Sequence, residues 1–176
     1  SDAKMITDRV DNITRIPDDY RSALPPAPKS VKIEMTANCD FKCFYCATGS
    51  RLRDKGEIDW DFYCRIVQEM RDAGVEELGV FYLGESFLYK KLPEAIDFAK
   101  NVAGYPYVFL TSNGRMASPE RVGACIEAGL DSLKFSFNYA DPEQCIDITR
   151  VDAFDTVVAN IQAVKAIRDE VEARTG

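Results

Sequence analysis

The chain has 176 residues, 46% of them hydrophobic and 29% charged, the balance of a folded globular domain rather than of a disordered segment. Its formal charge of -7 argues against a protein that tracks nucleic-acid phosphates, and no apolar run approaches the length of a bilayer span. It contains no histidine, which removes Cys/His zinc sites, histidine-bound iron and Ser-His-Asp or Cys-His catalysis.

Residues 1–30 end in Leu24-Pro25-Pro26-Ala27-Pro28 and read as an extended lead-in. The N-terminus Ser1-Asp2-Ala3-Lys4 lacks the apolar stretch of a signal peptide, so a cytoplasmic protein with no membrane partner is expected. Residues 31–35 alternate apolar and polar, a strand pattern. From Trp60 to Met70, Tyr63, Ile66, Val67 and Met70 recur at helical spacing, and the aromatic residues Trp60, Phe62 and Tyr63 read as core. A second strand over 78–83 precedes a helix with Leu92, Ile96, Ala99 and Val102 on one side. A third over 107–111 precedes a helix that Ser118 caps, Pro119 starts and Gly129 ends. The fourth, over 132–137, precedes a helix with Phe154, Val157, Val158, Ile161 and Val164 facing inward.

Four strand–helix units in succession predict an α/β fold with a parallel sheet and right-handed crossovers. Chemistry in such sheets lies at the loops beyond the C-terminal strand ends, here 36–50, 84–90, 111–117 and 136–150. The charged run Arg51-Leu52-Arg53-Asp54-Lys55 is most simply a solvated loop next to the first of these.

Six cysteines are present, and three of them, Cys39, Cys43 and Cys46, form a C-x3-C-x2-C pattern just after the first strand. That clustering fits a metal site better than a disulfide framework. Soft thiolates select iron–sulfur clusters, zinc or copper(I). A structural zinc wants four ligands, and no fourth lies nearby, whereas three thiolates on a four-iron cluster leave one iron open for chemistry. Zinc with a distant or intermolecular fourth ligand, or no metal at all, remains the competing reading. Cys64 and Cys125 fall on helical stretches and read as small apolar residues, while Cys145 lies in the loop after the fourth strand.

The cysteine spacing after a first β-strand resembles the radical S-adenosylmethionine (radical SAM) superfamily, and the resemblance extends over roughly residues 30–170. It implies that Cys39, Cys43 and Cys46 hold a [4Fe–4S] cluster whose open iron binds the amino and carboxylate groups of S-adenosylmethionine. Reductive cleavage of the sulfonium then yields a 5′-deoxyadenosyl radical that abstracts a substrate hydrogen. Tyr45 takes the usual aromatic position of the loop, near the adenine. Leu83-Gly84-Glu85-Ser86 resembles the family's Gly-Gly-Glu-Pro motif for the methionyl amine, with Leu83 and Ser86 departing from it. Gly84 and Glu85 are carried over as cofactor contacts; a plain turn with a solvated glutamate is the alternative.

Thr111-Ser112-Asn113-Gly114 resembles the family's Thr-Asn-Gly segment, which places Ser112 and Asn113 near cofactor or substrate, although Asn-Gly is also a common turn. Ser136-Phe137-Asn138 stands where relatives carry Ser-x-Asp or Ser-x-Asn, so Ser136 and Asn138 are expected at the ribose or the methionyl carboxylate. Arg150, taken as opening the last helical segment, is expected to pair with that carboxylate, or else to be a surface arginine.

The family core is a partial (β/α) barrel of six units, of which four are present, so residues 31–176 are expected to form the N-terminal two-thirds of a truncated core. The lead-in and Arg150-x3-Phe154 look most like the branch with auxiliary-cluster (SPASM/twitch-type) C-terminal domains. That likeness implies a peptide or small-molecule substrate and an electron donor such as a flavodoxin or ferredoxin. The competing functions are a non-catalytic iron–sulfur or zinc-binding module and an inactive fragment.

Overall fold

The computed structural model describes residues 16–49 and 54–176. The first half of the lead-in (1–15) and Arg51, Leu52 and Arg53 of the charged run lie outside the described residues. Residues 16–29 are mostly exposed and irregular apart from one 3-10 turn, Asp18–Arg21.

Four strands follow in spatial order: β1 (Ser30–Lys32), β2 (Glu77–Gly79), β3 (Tyr107–Ser112) and β4 (Ser132–Phe135), each parallel to the next. The helices are α1 (Trp60–Asp72), α2 (Leu92–Asp97), α3 (Pro119–Glu127), α4 (Pro142–Thr149) and α5 (Phe154–Thr175). The α/β class and the partial-barrel arrangement are those expected.

Alternation along the strands sorts side chains by face. Leu78 pairs with Val31 and Val108, and Leu110 with Leu133, placing these residues in the main core with Tyr63, Val67, Ile96 and Val122 from the helices. The opposite face carries Lys32, Phe109, Thr111 and Lys134, none of them buried. Gly79 is needed there, because a Cβ would stand 2.9 Å from the Phe109 ring.

β1, β2 and β4 are shorter than their sequence patterns, while β3 runs one residue longer. Beyond Ile33, which donates to Gly79 O at 2.8 Å, residues 35–37 pair with another segment. Ile58 N donates to Met35 O (2.9 Å) and Ala37 N to Gly56 O (2.8 Å). The Glu34 carboxylate likewise takes the N–H groups of Leu83 and Gly84, each at 3.2 Å, so the chain after β2 turns instead of continuing the ladder.

Helix ends follow the expected chemistry. Ser118 accepts from Arg121 N, Pro119 opens α3, and Gly129 (φ +105°) follows its end in the left-handed region. Two details differ. Phe62 is 44% exposed under the Arg65 guanidinium rather than core. Val102 is 63% exposed, because α2 continues into a π turn (Phe98–Val102) in which Ala103 N reaches back to Phe98 O. The wider turn rotates Val102 off the face that buries Leu92, Ile96 and Ala99.

The segment after β4, expected as a loop, contains α4. Asp141, the N-cap, accepts from Gln144 N at 2.8 Å, and Gln144 Oε1 accepts from Ala140 N at 3.0 Å, just before Pro142 opens the helix. Arg150 does not open the last helix: it closes α4 as a left-handed C-cap (φ 63°), and α5 starts at Phe154. Cys145 is therefore helical and fully buried, in a second small core with Phe41, Tyr139, Ala153 and Val157. On α5, Val157 and Val171 are buried, whereas Phe154, Val158, Ile161 and Val164 are half-buried.

Candidate functional site

The cysteine loop is fixed by backbone hydrogen bonds to the end of α4: Lys42 N donates to Thr149 O (2.9 Å) and Phe44 N to Ile148 O (3.1 Å). Phe41, 4% exposed, anchors it in the second core. This leaves Cys39, Cys43 and Cys46 half-buried and free, at the ends of the strands. Burial pushes the Cys39 thiol up to about 11, against a lowering hydrogen bond from the Phe41 backbone and with Asp40, Glu85 and Cys43 adding to the rise. Burial also raises Cys43, the Tyr45 hydroxyl opposes it, and Cys46 adds to it.

Such thiols hold their protons at neutral pH until a metal draws them off. Among the described residues no three cysteine or carboxylate groups converge on a single ion.

Each thiol has a polar side chain beside it, the Tyr45 hydroxyl in the case of Cys43. Cys46 Sγ lies 2.7 Å from Thr48 Oγ1, and Cys39 Sγ lies 3.9 Å from Asn113 Nδ2. Asn113 binds more firmly to the residue after Cys39, donating to Asp40 Oδ1 at 2.8 Å, while Arg115 pairs with the other Asp40 oxygen at 3.5 Å. Asp40 thus ties the cysteine loop to the loop after β3.

The turn after β2 packs against the same loop. A Cβ on Gly84 would lie 1.9 Å from Thr36 O and 2.9 Å from Asn38 O, so only glycine permits the approach, and Glu85 N then donates to Asn38 O at 2.8 Å. Glu85 is not the solvated glutamate of a simple turn. It is 3% exposed, and its carboxylate accepts from Ser112 Oγ (2.8 Å), Phe87 N (3.1 Å) and Asn113 N (2.8 Å). Burial raises its pKa to about 7; the three donors hold it from rising further, and Asp40 adds to the rise. Ser112 is 2% exposed and faces the helical side, so its hydroxyl serves Glu85 and the open face carries Thr111 instead.

At the far end of the sheet, Asn138 Nδ2 donates to the Tyr45 hydroxyl at 3.1 Å, joining the loop after β4 to the cysteine loop. Tyr45 and Phe44 stand edge to face, 57% and 69% exposed, as an open aromatic surface. Ser136 extends the sheet through its N–H to Ser112 O (2.8 Å), and its hydroxyl finds no partner among the described residues. Arg150 is exposed and directly follows Thr149, which receives the cysteine loop.

The structure therefore brings together the three cysteines, Tyr45, Gly84, Glu85, Ser112, Asn113 and Asn138, and leaves Ser136 and Arg150 at the margin. Sequence reading missed Asp40 and Thr48, which carry no motif.

The radical SAM superfamily profile matches residues 33–172. The GTP 3',8-cyclase of Chlorobaculum tepidum is 30% identical over 127 residues, covering 72% of this chain and 38% of that relative. Among solved structures, native anSMEcpe with bound AdoMet and Kp18Cys peptide matches with a TM-score of 0.65 at 16% identity, over 79% of this chain and 41% of that one. Methylornithine synthase (PylB) matches with a TM-score of 0.63 at 15% identity, over 78% of this chain and 41% of that one. The chain thus spans about two-fifths of the length of the first curated relative it matches. With most of its length matched by the profile, the chain belongs to the radical SAM superfamily, whose members use a [4Fe–4S] cluster and S-adenosylmethionine.

Proposed function

We propose that the chain carries a [4Fe–4S] cluster on Cys39, Cys43 and Cys46, binds S-adenosylmethionine across the adjoining strand ends, and serves hydrogen abstraction within a longer enzyme. The observation that supports this best is Asn113, whose side chain touches Cys39 and Asp40 while its backbone N–H is bound by Glu85. One residue thereby couples the cluster loop to the turn that resembles the methionyl-amine motif.

When bound, the cluster and S-adenosylmethionine supply one-electron reductive cleavage of the sulfonium and hydrogen abstraction from a substrate carbon. The chain's own residues bind and orient. Tyr45, with its hydroxyl held by Asn138, offers a ring to the adenine. Glu85, near half-ionised at neutral pH, gains full charge when an ammonium arrives beside it, since an adjacent cation lowers a carboxyl pKa. Ser136, just past β4 and with no hydroxyl partner among the described residues, serves the ribose or the carboxylate. Arg150 serves the carboxylate by a bidentate pair.

The substrate is a peptide or a small molecule, and GTP, named for the curated relatives, is the small molecule to test first. The electron donor is of flavodoxin or ferredoxin type. The test is anaerobic loading with iron and sulfide, followed by electron paramagnetic resonance with and without S-adenosylmethionine. A reduced-cluster signal that changes when S-adenosylmethionine is added is the expected result. Bound zinc without iron, or a cluster signal indifferent to the ligand, would overturn the reading.

A further inference from the structure

The last turn of α4 gives its final carbonyls to another part of the chain. A helix ends with carbonyl oxygens that have no partner inside it, and the residues that follow, side chains or water usually satisfy them. Here Thr149 O accepts from Lys42 N at 2.9 Å and Ile148 O from Phe44 N at 3.1 Å, so both bonds reach the cysteine loop. Lys42 and Phe44 stand on either side of Cys43. Cys46 N in turn donates to Cys43 O at 3.0 Å, which hangs a second thiol on the same grip. Cys39 is anchored by a different bond, from Glu85 N to Asn38 O at 2.8 Å.

The two carbonyls are available because the chain leaves the helix sharply at Arg150. Among the described residues Arg150 is the one residue other than glycine with a positive φ, 63°. That conformation is uncommon for a residue with a Cβ, so its surroundings must impose it. Thr149 does so. The residue is 1% exposed, and its hydroxyl oxygen lies 2.6 Å from Cys145 O, one turn back, and 3.1 Å from Val151 O. It also accepts from Val151 N at 3.2 Å. A threonine that bonds back to the carbonyl four residues earlier is a common local habit of helices. The bonds forward to Val151 go further, because one oxygen then ties the helix before Arg150 to the chain beyond it. Cys145 and Val151 also belong to the small core that holds Phe41 beside the cysteine loop.

We propose that Thr149 is a positioning residue whose hydroxyl locks the end of α4 into a clamp, holding Cys43, and Cys46 through it, in place before a cluster binds. Ligands set in advance need less ordering when the group arrives. The purpose of the clamp rests on the cluster reading above; the clamp itself does not.

The test is amide exchange, followed residue by residue in the cluster-free chain. Thr149→Val keeps the branched shape and removes the hydroxyl. Loss of one buried hydrogen bond is worth roughly 10-fold in a local opening equilibrium, so the Lys42 and Phe44 amides should exchange faster by about that factor. The Glu85 amide, on the other anchor of the loop, should keep its wild-type rate. Thr149→Ser retains the hydroxyl and should retain slow exchange at Lys42 and Phe44. Arg150→Gly, in which a left-handed backbone carries no penalty, should protect both amides at least as well as wild type. After loading with iron and sulfide, Thr149→Val should release iron to a chelator roughly 10-fold faster than wild type or Thr149→Ser. Unchanged exchange at Lys42 and Phe44 in Thr149→Val would overturn the clamp. So would equal acceleration at Glu85, which marks general loosening, or a Ser variant that behaves like the Val one. If Thr149→Val does not fold, the Ser and Gly variants decide: faster exchange at Lys42 and Phe44 in either overturns the clamp, and wild-type protection in both supports it. A wild-type chain that takes up no cluster overturns the cluster reading alone, because the exchange pattern is measured without it.

Discussion

Ser112 donates its hydroxyl to Glu85 Oε1 across 2.8 Å, joining the end of β3 to the turn after β2 where both residues are almost fully buried. Burial raises Glu85 from 4.5 to about 7, and the sign of the consequence follows. Between those values the folded chain binds a proton that the unfolded chain has lost, so stability falls as pH rises through that window. At ~1.4 kcal/mol per pKa unit the loss is about 3 kcal/mol, complete only above the folded value. Glu85→Gln cannot titrate. Urea unfolding at pH 5 and pH 8 should show wild type losing stability relative to Glu85→Gln on going to pH 8. A constant difference between the two proteins would mean that Glu85 is ionised throughout.

Gly84 is tested by adding one methyl group. In Gly84→Ala the new carbon meets the Thr36 carbonyl oxygen at 1.9 Å, and backbone cannot move aside as a side-chain tip can. Overpacking of this kind costs about 1–3 kcal/mol or more and here also pushes Glu85 away from the cysteine loop. The expected outcome is a lower melting temperature together with reduced cluster uptake. Gly123→Ala is the control. Gly123 lies inside α3, where the added carbon meets Ile167 at 3.4 Å, an ordinary contact, and alanine is the better helix former. It should melt at or above the wild-type temperature; equal damage from both variants would remove the special role of the Gly84 contact.

Local chemistry explains which parts of this fold could be read in advance. Ser118, Pro119 and Gly129 act on their own backbone, so the ends of α3 are encoded where they occur. The helix α4 is equally encoded, in Asp141-Pro142-Glu143-Gln144, a cap residue followed by proline at the first helical position. Strand lengths were not local information. Residues 31–37 alternate throughout, yet pairing of 35–37 with 56–58 ends β1, a contact between segments twenty residues apart. The cysteines were legible because ligand spacing is a sequence property. Asn113 could be named as a loop residue, but its reach to Asp40 and Cys39 requires β3 to lie beside the loop after β1. Ser112 is in the expected segment, and that its hydroxyl binds Glu85 depends on the turn after β2 packing against the end of β3.

Tyr45 and Asn138 form a pair whose parts should fail together. Their hydrogen bond, 3.1 Å long, crosses between the cysteine loop and the end of β4, and both residues are exposed. A neutral bond of this sort contributes about 0.5–1.5 kcal/mol, or roughly 2- to 10-fold in an equilibrium. Tyr45→Phe and Asn138→Ala should each weaken S-adenosylmethionine binding by roughly that factor, measured by titrating the cluster signal. The double variant should be no weaker than the worse single one, because both remove the same bond. Fully additive losses would mean that the two residues act on the ligand separately.

The cysteines divide into those that face the strand ends and those that pack inside, and the two groups should respond differently to alanine. Cys43→Ala removes one of three clustered thiols and should abolish cluster uptake, read as iron per chain and loss of the reduced-cluster signal. Cys64 lies half-buried on α1, away from the loop, and Cys64→Ala should keep the full iron content. Cys125 is 1% exposed in the main core, where burial pushes its thiol up to about 12, so it behaves as a small apolar side chain. Cys125→Ala should therefore lower the melting temperature modestly while iron binding persists. Iron lost from Cys64→Ala or Cys125→Ala at a temperature where the protein stays folded would show that the cluster uses thiols other than those at the strand ends.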